Sequence, residues 1–388
     1  GDVYKRQIMI ILDEKGWMCM KKPERIFVIG HKNPDTDSIC SAIAYADIKN
    51  RTTQSKRYIP KRAGQINEET RYVLNRFGVQ PPAYLGNIGT QVKDMDIRTS
   101  PQADKNMSLK NTWDLMQENG IVSLPIRDKD GCLEGLVTIG DIAKTYMDTT
   151  DSYLLSNART QYQRIAETVG GEVVEGNGHG YFVKGRVLVG TANPKMLEGY
   201  VEEDDMIIMG DREEDHLQAI SQNVSCIIVG LNIVVSEKVI KLAHEKNIVI
   251  IRSPYDTFNI ARLINQSIPV SFVMKRDNMV TFNTEDFTDD IQDVMIKNRH
   301  RAFPVINPHG KCIGTISRRN FLDMHKKKVV LVDHNEVDQA VDNIEKAEIL
   351  EIIDHHKLGT LQTMTPVAFR NEPVGCTGTI LYEIYGEQ

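Results

Sequence analysis

The chain has 388 residues, which at ~100–200 residues per domain predicts two or three domains. Hydrophobic residues make up 41% and charged residues 26% of the sequence, the balance of a globular chain with a buried core. The formal net charge of −6 argues against a protein that binds nucleic acid through bulk charge. A phosphate-containing substrate would need a local site of metal ions or clustered arginines.

The cysteines and the chain ends give further expectations. The six cysteines include no C-x-x-C pair, which favours reduced thiols in the cytoplasm over a disulfide framework. The apolar run at residues 8–12 is too short to span a bilayer, so no membrane association is expected. Residues 1–7 read like a translated transposon end used in library preparation, so residues 1–19 are expected to be a non-native or disordered leader.

The first α/β element follows that leader. Residues 25–29 (RIFVI) predict a short strand, and residues 39–48 predict a helix packed on a sheet. The polar turn between them carries His31, Asp35 and Asp37. In open α/β sheets, ligands bind at the edge where the strands end, so this turn is a candidate site.

An internal repeat occupies the middle of the chain. Residues 123–141 align without a gap with residues 302–320, and Pro125 falls on Pro304. Each copy reads as helix, strand, glycine turn, strand and helix. The block between the copies, residues 151–269, alternates apolar runs with helical stretches and predicts another small α/β domain.

Two further strand candidates end in acidic and histidine residues. Residues 328–332 (KVVLV) run into Asp333, and residues 347–353 run into Asp354, His355 and His356. Parallel strands would place these residues and the first turn along one edge of a sheet. Carboxylate and imidazole ligands suit a hard divalent ion such as Mn²⁺, and a shared carboxylate would allow two ions to hold a phosphoryl group.

Each of these motifs also has an ordinary structural interpretation. An Asp-x-Asp pair in a loop is usually a turn or a helix cap, and a histidine at a strand end is often only a satisfied core or surface residue. Their joint occurrence at three strand ends favours metal binding.

At these residues the chain resembles the DHH phosphoesterase superfamily. The segments GHKNPDTDS (30–38), LVDHNE (331–336) and IIDHH (352–356) carry the resemblance, and NPDTDS is similar to the manganese-dependent family II inorganic pyrophosphatases. EPVGCTGTILYEIY (372–385) also resembles those enzymes. The repeat between the motifs matches the subgroup with a pair of CBS domains around a DRTGG-type domain.

The resemblance implies the fold and the domain order. The fold class would be α/β, with a parallel-sheet DHH domain interrupted by an inserted CBS–DRTGG–CBS regulatory region. The expected division after the leader is 20–90 for the first part of the DHH domain, 91–150 for CBS repeat one, 151–269 for the DRTGG-like domain, 270–325 for CBS repeat two and 326–388 for the second part of the DHH domain.

The resemblance also implies a reaction and its residues. The expected metal ligands are His31, Asp35, Asp37, Asp333 and His355, with Asp333 bridging two ions. His356 would contact substrate phosphate, and Asp354 would orient a histidine. The implied reaction is hydrolysis of pyrophosphate by a hydroxide that bridges two Mn²⁺ or Co²⁺ ions, with Mg²⁺ on the substrate.

Two elements of the family pattern are not matched in this sequence. One is a further Asp ligand in an S-D-[ST] segment after His356, and the other is a C-terminal domain whose basic side chains grip the phosphates. We therefore expect the full-length protein to be a pyrophosphatase and these 388 residues alone to be poorly active or inactive.

The repeat resembles the nucleotide-binding pattern of CBS domains. A strand that ends in Thr or Ser before an acid at a helix start can offer a hydroxyl to phosphate and a carboxylate to ribose, although the same pattern is a usual helix cap. Copy two has Asn320 where the acid is typical, and its arginines form either a phosphate site or a solvated basic face. The candidate nucleotide-binding residues are Thr138, Asp141, Arg299, Arg301, Ser317, Arg318 and Asn320.

Adenine nucleotides regulate that subgroup, so AMP, ADP, ATP or diadenosine polyphosphates are the expected ligands, and a homodimer is the expected assembly. Two alternatives stay open at this point. One is a phosphodiesterase acting on short oligonucleotides or cyclic dinucleotides, and the other is a non-catalytic adenine-nucleotide sensor.

Overall fold

A computed structural model describes residues 9–12, 18–21, 24–147, 151–190, 199–322, 324–363 and 365–387. The β-strands are β1 (Met9–Leu12), β2 (Met18–Lys21), β3 (Ile26–Ile29), β4 (Tyr58–Arg62), β5 (Ala83–Tyr84), β6 (Ser123–Arg127), β7 (Leu133–Thr138), β8 (Thr160–Gln161), β9 (Glu172–Glu175), β10 (Tyr181–Phe182), β11 (Val187–Val189), β12 (Met206–Met209), β13 (Cys226–Val229), β14 (Val249–Arg252), β15 (Phe282–Asn283), β16 (Phe303–Ile306), β17 (Cys312–Ile316), β18 (Lys328–Val332), β19 (Glu348–Asp354) and β20 (Ala368–Asn371).

The α-helices are α1 (Thr36–Thr52), α2 (Glu68–Arg76), α3 (Leu109–Glu118), α4 (Ile139–Met147), α5 (Leu154–Asn157), α6 (Tyr162–Thr168), α7 (Glu213–Ser221), α8 (Glu237–Glu245), α9 (Thr257–Leu263), α10 (Thr288–Lys297) and α11 (Thr377–Gly386). Short 3-10 helices are Val92–Asp94, Ile264–Ser267, Val270–Phe272, Arg318–Phe321, Val337–Gln339 and Ile344–Lys346.

The chain divides into two compact units. The first comprises Gly1–Arg98, Phe282–Arg299 and Ile316–Gln388, and the second comprises Thr99–Thr281 and His300–Thr315. Strand β1 lies in the predicted leader and pairs antiparallel with β2, which crosses the predicted boundary at residue 19. Residues 1–8 and 13–17 of the leader lie outside the described residues. None of the helices in the described part of the chain has the length and hydropathy that a bilayer crossing requires.

The first unit is built on a six-stranded sheet with the order β20-β19-β18-β3-β4-β5, and every neighbouring pair is parallel. Alternate residues of its strands face opposite sides. Val330 and Val332 pack into a core with residues of α1 and α11, whereas Val329 and Leu331 pack into a core on the other face. Burial on both faces explains why the central strands β3 and β18 are almost wholly apolar.

The second unit contains a five-stranded sheet with the order β11-β12-β13-β14-β9, in which only β9 runs antiparallel to its neighbour. The hairpin β6–β7 belongs to repeat copy one, and the adjacent strands β16 and β17 belong to copy two. The predicted α/β fold with a parallel sheet is therefore confirmed. The predicted domain boundaries stay a prediction.

Candidate metal centre

The turn after β3 depends on a glycine. A Cβ atom at Gly30 would lie 1.9 Å from Ser38 Oγ, so only glycine lets the end of β3 approach the start of α1 this closely. His31 follows directly. Asp35 is the N-cap of α1, and its Oδ1 accepts a 2.9 Å hydrogen bond from the Ser38 N–H. Asp35 therefore has the ordinary capping role as well as being a candidate ligand.

Asp333 follows β18 and adopts a left-handed conformation, with φ at 64°. Aspartate tolerates this region better than most residues because its short polar side chain bonds locally. The Asp333 N–H donates to the Ile353 carbonyl at 2.9 Å, which ties the turn to β19. Only 1% of Asp333 is exposed to solvent. A charged group is thus held in the interior at the carboxyl edge of the sheet.

The end of β19 supplies the third group. Asp354 is fully buried, and its Oδ1 accepts hydrogen bonds from the N–H groups of His355 at 2.8 Å and His356 at 3.2 Å. The same oxygen accepts a 2.7 Å bond from His356 Nδ1, while Asn335 Nδ2 donates to Oδ2. Asp354 was predicted to orient a histidine, and in the structure its carboxylate accepts a hydrogen bond from the His356 ring.

The three strand ends bring the other four predicted ligands together around Asp333. His31 Nε2 lies 3.3 Å from Asp333 Oδ2 and 3.8 Å from Asp35 Oδ1. His355 Nε2 lies 3.4 Å from Asp333 Oδ1 and 3.9 Å from Asp37 Oδ2. The two carboxylate oxygens of Asp333 therefore face two different histidines, each with a second acid nearby.

The donor atoms fit divalent metal ions. Asp333 Oδ2 is buried and has no hydrogen-bond partner among the residues that the structure describes, which is costly unless another group neutralises it. His355 Nδ1 donates to the Val374 carbonyl at 3.1 Å, which leaves the Nε2 lone pair free in the neutral ring. Oxygen and imidazole ligands without thiolate suit Mn²⁺ or Co²⁺ better than a structural zinc site.

The ligand atoms fall within metal-binding range in two overlapping sets. One atom from each of His31, Asp35 and Asp333 lies within 4.8 Å of the others, and the same holds for Asp333, His355 and His356. Asp333 belongs to both sets, which is the arrangement expected of a carboxylate shared by two ions. His356 thus lies close enough to act as a ligand as well as in its predicted contact with substrate.

Electrostatics hold Asp333 in its charged form. Burial alone would raise the pKa of Asp333, but the nearby His31 imidazole and the hydrogen bond from the Thr377 hydroxyl outweigh burial and lower the pKa below its usual range. Burial opposes protonation of His31, yet the carboxylates of Asp333 and Asp35 close to the ring raise the pKa of His31. Burial and repulsion by Asp333 raise the pKa of Asp37. The acids thus repel one another at this edge, and a cation would relieve that repulsion.

Sequence reasoning gave no role to the start of α11, which contacts the same acids. The N–H groups of Thr377 and Gly378 donate to the two oxygens of Asp37 at 2.6 and 3.0 Å. The Thr377 hydroxyl donates to Asp333 Oδ1 at 3.0 Å. The sequence did mark this region, because residues 372–385 resemble the same enzymes as the Asp/His motifs. No residue of that segment was predicted to bind metal or substrate.

The second unit contains three of the candidate nucleotide-binding residues: Thr138 and Asp141 of repeat copy one, and Arg301 of copy two. Thr138 ends β7, and its hydroxyl donates to Asp141 Oδ2 at 2.6 Å. Lys275 Nζ lies 3.5 Å from Asp141 Oδ1. Arg301 is an exposed residue of this unit. Thr138 and Asp141 therefore form the helix-start arrangement that the motif predicts, with the hydroxyl and carboxylate bonded to each other.

The remaining candidates lie in the first unit. Ser317 and Asn320 form the equivalent pair, with the Ser317 hydroxyl 2.9 Å from Asn320 Oδ1. The Arg318 guanidinium donates to the carbonyls of Met295 and Asn298 at the end of α10. Arg299 is exposed. The basic cluster of copy two thus includes one arginine that is already bonded to a helix end, which the sequence did not reveal.

Comparison with known proteins agrees with this site. Residues 25–388 match the DHH family, N-terminal domain, and the chain belongs to this family. It is 39% identical over 362 residues to the cobalt-dependent inorganic pyrophosphatase of Clostridium perfringens, covering 93% of this chain and 66% of that protein. It is 37% identical over 366 residues to a probable manganese-dependent inorganic pyrophosphatase of Thermotoga maritima, covering 94% and 66%. The chain therefore spans just under two thirds of the length of these relatives.

A solved structure matches the inserted region. It contains the CBS and DRTGG domains of the regulatory region of Clostridium perfringens pyrophosphatase, complexed with the activator diadenosine tetraphosphate. The match has a TM-score of 0.56 and 32% identity, and covers 59% of this chain and all of that one. The predicted interruption of the DHH domain by a CBS–DRTGG–CBS region is confirmed.

Proposed function

We propose that this chain is the catalytic and regulatory part of a metal-dependent inorganic pyrophosphatase. The observation that carries the proposal is the buried Asp333 carboxylate, whose two oxygens face His31 and His355 at 3.3 and 3.4 Å. The similarity to two relatives that are named as cobalt- and manganese-dependent pyrophosphatases supports the same reaction. The products would be two phosphates.

In this proposal His31, Asp35, Asp37, Asp333 and His355 hold two Mn²⁺ or Co²⁺ ions, with Mg²⁺ on the substrate. When bound, such ions neutralise phosphate charge and supply a hydroxide near neutral pH. Two ligands are prepared before the substrate arrives, because Asp333 is held ionised and the His355 ring is anchored at the Val374 carbonyl. His356, anchored through Nδ1 by Asp354, presents Nε2 to a substrate oxygen.

The test is phosphate release from pyrophosphate in the presence of Mn²⁺ or Co²⁺. It is measured for this chain and for the reading frame continued to its stop codon, with Asp333→Asn as the inactive comparison. Turnover by the continued protein that falls at least 100-fold in Asp333→Asn supports the proposal. Cleavage of dinucleotides in preference to pyrophosphate would instead identify a phosphodiesterase. Nucleotide binding without any turnover would identify a sensor.

We also propose that adenine nucleotides regulate the enzyme through the CBS pair. The Thr138–Asp141 and Ser317–Asn320 pairs place a hydroxyl at each helix start, as a phosphate contact requires. The solved regulatory region that resembles this chain carries diadenosine tetraphosphate, and AMP, ADP and ATP share its adenosine phosphate chemistry. Thr138, Asp141, Arg299, Arg301, Ser317, Arg318 and Asn320 remain the proposed contacts.

Calorimetric titration with AMP and diadenosine tetraphosphate tests this regulation. Thr138→Val is expected to weaken binding at least about tenfold, since a hydrogen bond to a charged group is worth ~1.5–3 kcal/mol. Thr145→Val is the control, because the Thr145 hydroxyl donates to the Asp141 carbonyl within the same helix. Equal affinity in all three proteins would contradict the proposal. A homodimer, tested by sedimentation, and a cytoplasmic location complete the proposed description.

A further inference from the structure

Thr377 lies at the first residue of α11, directly after the N-cap Cys376, and is fully buried. Its hydroxyl lies 3.0 Å from Asp333 Oδ1. An ionised carboxylate only accepts hydrogen bonds, so the hydroxyl must donate. The pKa of Asp333 is lowered in part by this bond.

The bond distinguishes the two oxygens of Asp333. Oδ1 accepts the Thr377 hydroxyl, whereas Oδ2 is buried without a hydrogen-bond partner and faces His31 Nε2 at 3.3 Å. Rotation about the last bond of an aspartate side chain is broad and roughly two-fold, so packing alone fixes the carboxylate plane poorly. A directional hydrogen bond to one oxygen sets that plane and thereby aims the other oxygen.

We infer that Thr377 is a positioning residue, which orients the Asp333 carboxylate so that both of its oxygens are presented to the ions of the proposed metal centre. The inference rests on the proposed function only in assuming that those ions bind at Asp333. It adds a residue of the last helix to the machinery, one that touches neither ion nor substrate and acts through Asp333.

The geometry allows the hydroxyl to be tested apart from the helix. The contacts of α11 with Asp37 come from the N–H groups of Thr377 and Gly378, which a side-chain replacement leaves in place. Thr377→Val keeps the shape of the side chain and removes only the donor to Asp333. Thr379→Val is a matched control, because Thr379 lies in the same helical turn and is exposed, and its hydroxyl bonds the Cys376 sulfur rather than Asp333.

The experiment is a Co²⁺ titration of the chain, followed by calorimetry and by the visible absorption of the bound ion. Loss of a residue that orients a metal ligand typically costs 10–100-fold in metal affinity. Thr377→Val is therefore expected to bind Co²⁺ at least tenfold more weakly with an altered absorption spectrum. Thr377→Ser, which restores the donor, should return affinity to within about threefold by the same reasoning, and Thr379→Val should match the unsubstituted chain.

Each outcome separates the inference from the proposed function. Unchanged Co²⁺ affinity and spectrum in Thr377→Val would overturn the inference while leaving the metal centre intact. An unsubstituted chain that binds no Co²⁺ would overturn the proposed centre itself. If Thr377→Val does not fold, Thr377→Ala is titrated instead, and normal binding by that variant overturns the inference equally.

Discussion

Two aspartates, one in each unit, are equally buried and have opposite surroundings. Asp205 and Asp333 are each 1% exposed. Asp205 precedes β12, and its two oxygens accept hydrogen bonds from the Arg186 backbone at 2.7 Å, the Arg186 guanidinium at 2.8 and 3.3 Å and the Glu202 N–H at 2.9 Å. Asp333 follows β18 and leaves Oδ2 without a hydrogen-bond partner.

The difference indicates what each buried charge is for. A buried carboxylate whose lone pairs are all satisfied by one arginine and the backbone completes the packing of its own unit. A buried carboxylate with an oxygen left over keeps a desolvation cost that a bound cation would offset. Burial alone therefore does not identify a functional acid. The more informative property is whether each oxygen of the buried carboxylate has a hydrogen-bond partner in the fold.

The largest expected effect concerns the satisfied acid. Asp205→Asn removes the charge that compensates Arg186, and breaking a buried ion pair from one side costs about 3–5 kcal/mol. Denaturation of the second unit in urea should therefore show a loss of this size, with no change when Co²⁺ is added. Asp204→Asn is the neighbouring control, since the Asp204–Lys184 pair is exposed and the left-handed backbone of Asp204 suits asparagine. A similar loss of stability in both variants would mean that the buried Asp205–Arg186 pair contributes no more than the exposed Asp204–Lys184 pair.

The second effect concerns the unsatisfied acid. Asp333→Asn keeps a side chain that tolerates the left-handed backbone but removes the proposed shared ligand. A ligand at 100 times its dissociation constant stabilises a protein by ~2.7 kcal/mol, so this Co²⁺-dependent gain should be present in the unsubstituted chain and absent in the variant. Denaturation with and without Co²⁺ measures it. A full gain in Asp333→Asn would mean that the ion binds elsewhere.

The smallest of the three effects concerns the backbone that places His31. Gly30→Ala puts a Cβ atom 1.9 Å from Ser38 Oγ and 3.0 Å from the Ser38 carbonyl oxygen, and overpacking of this kind costs about 1–3 kcal/mol. Both the stability of the first unit and its Co²⁺ affinity should fall. Gly375→Ala, where the added atom meets nothing within 4 Å, should change neither. Normal Co²⁺ binding by Gly30→Ala would show that the turn has room to adjust.

The strand ends were predictable because each group of Asp and His residues directly follows an apolar run. The strand predicted at residues 347–353 is observed one residue later, at Glu348–Asp354, and the strand predicted at residues 328–332 is observed at those residues. A parallel sheet then brings the ends together whatever lies between them in sequence. For this reason the inserted region did not obscure the site.

The contacts that refine the site were not predictable in the same way. Thr377 meets Asp37 across a sequence separation of 340 residues and meets Asp333 across 44, and nothing local encodes either contact. The left-handed backbone of Asp333 likewise depends on its bond to β19. For Arg318, the sequence left both a phosphate site and a solvated basic face open, whereas in the structure the guanidinium donates to the carbonyl of Met295 in α10.

The central position of β3 in its sheet has a consequence for synthesis. Its neighbour β18 is encoded near the other end of the chain, so His31 leaves the ribosome roughly 300 residues before Asp333, a delay of about half a minute at ~10 residues per second. Most of the second unit, residues 99–281, emerges during that interval with its own core complete. The proposed metal centre is therefore expected to load only after translation has passed Asp333, on a nascent chain in which most of the second unit has had time to fold.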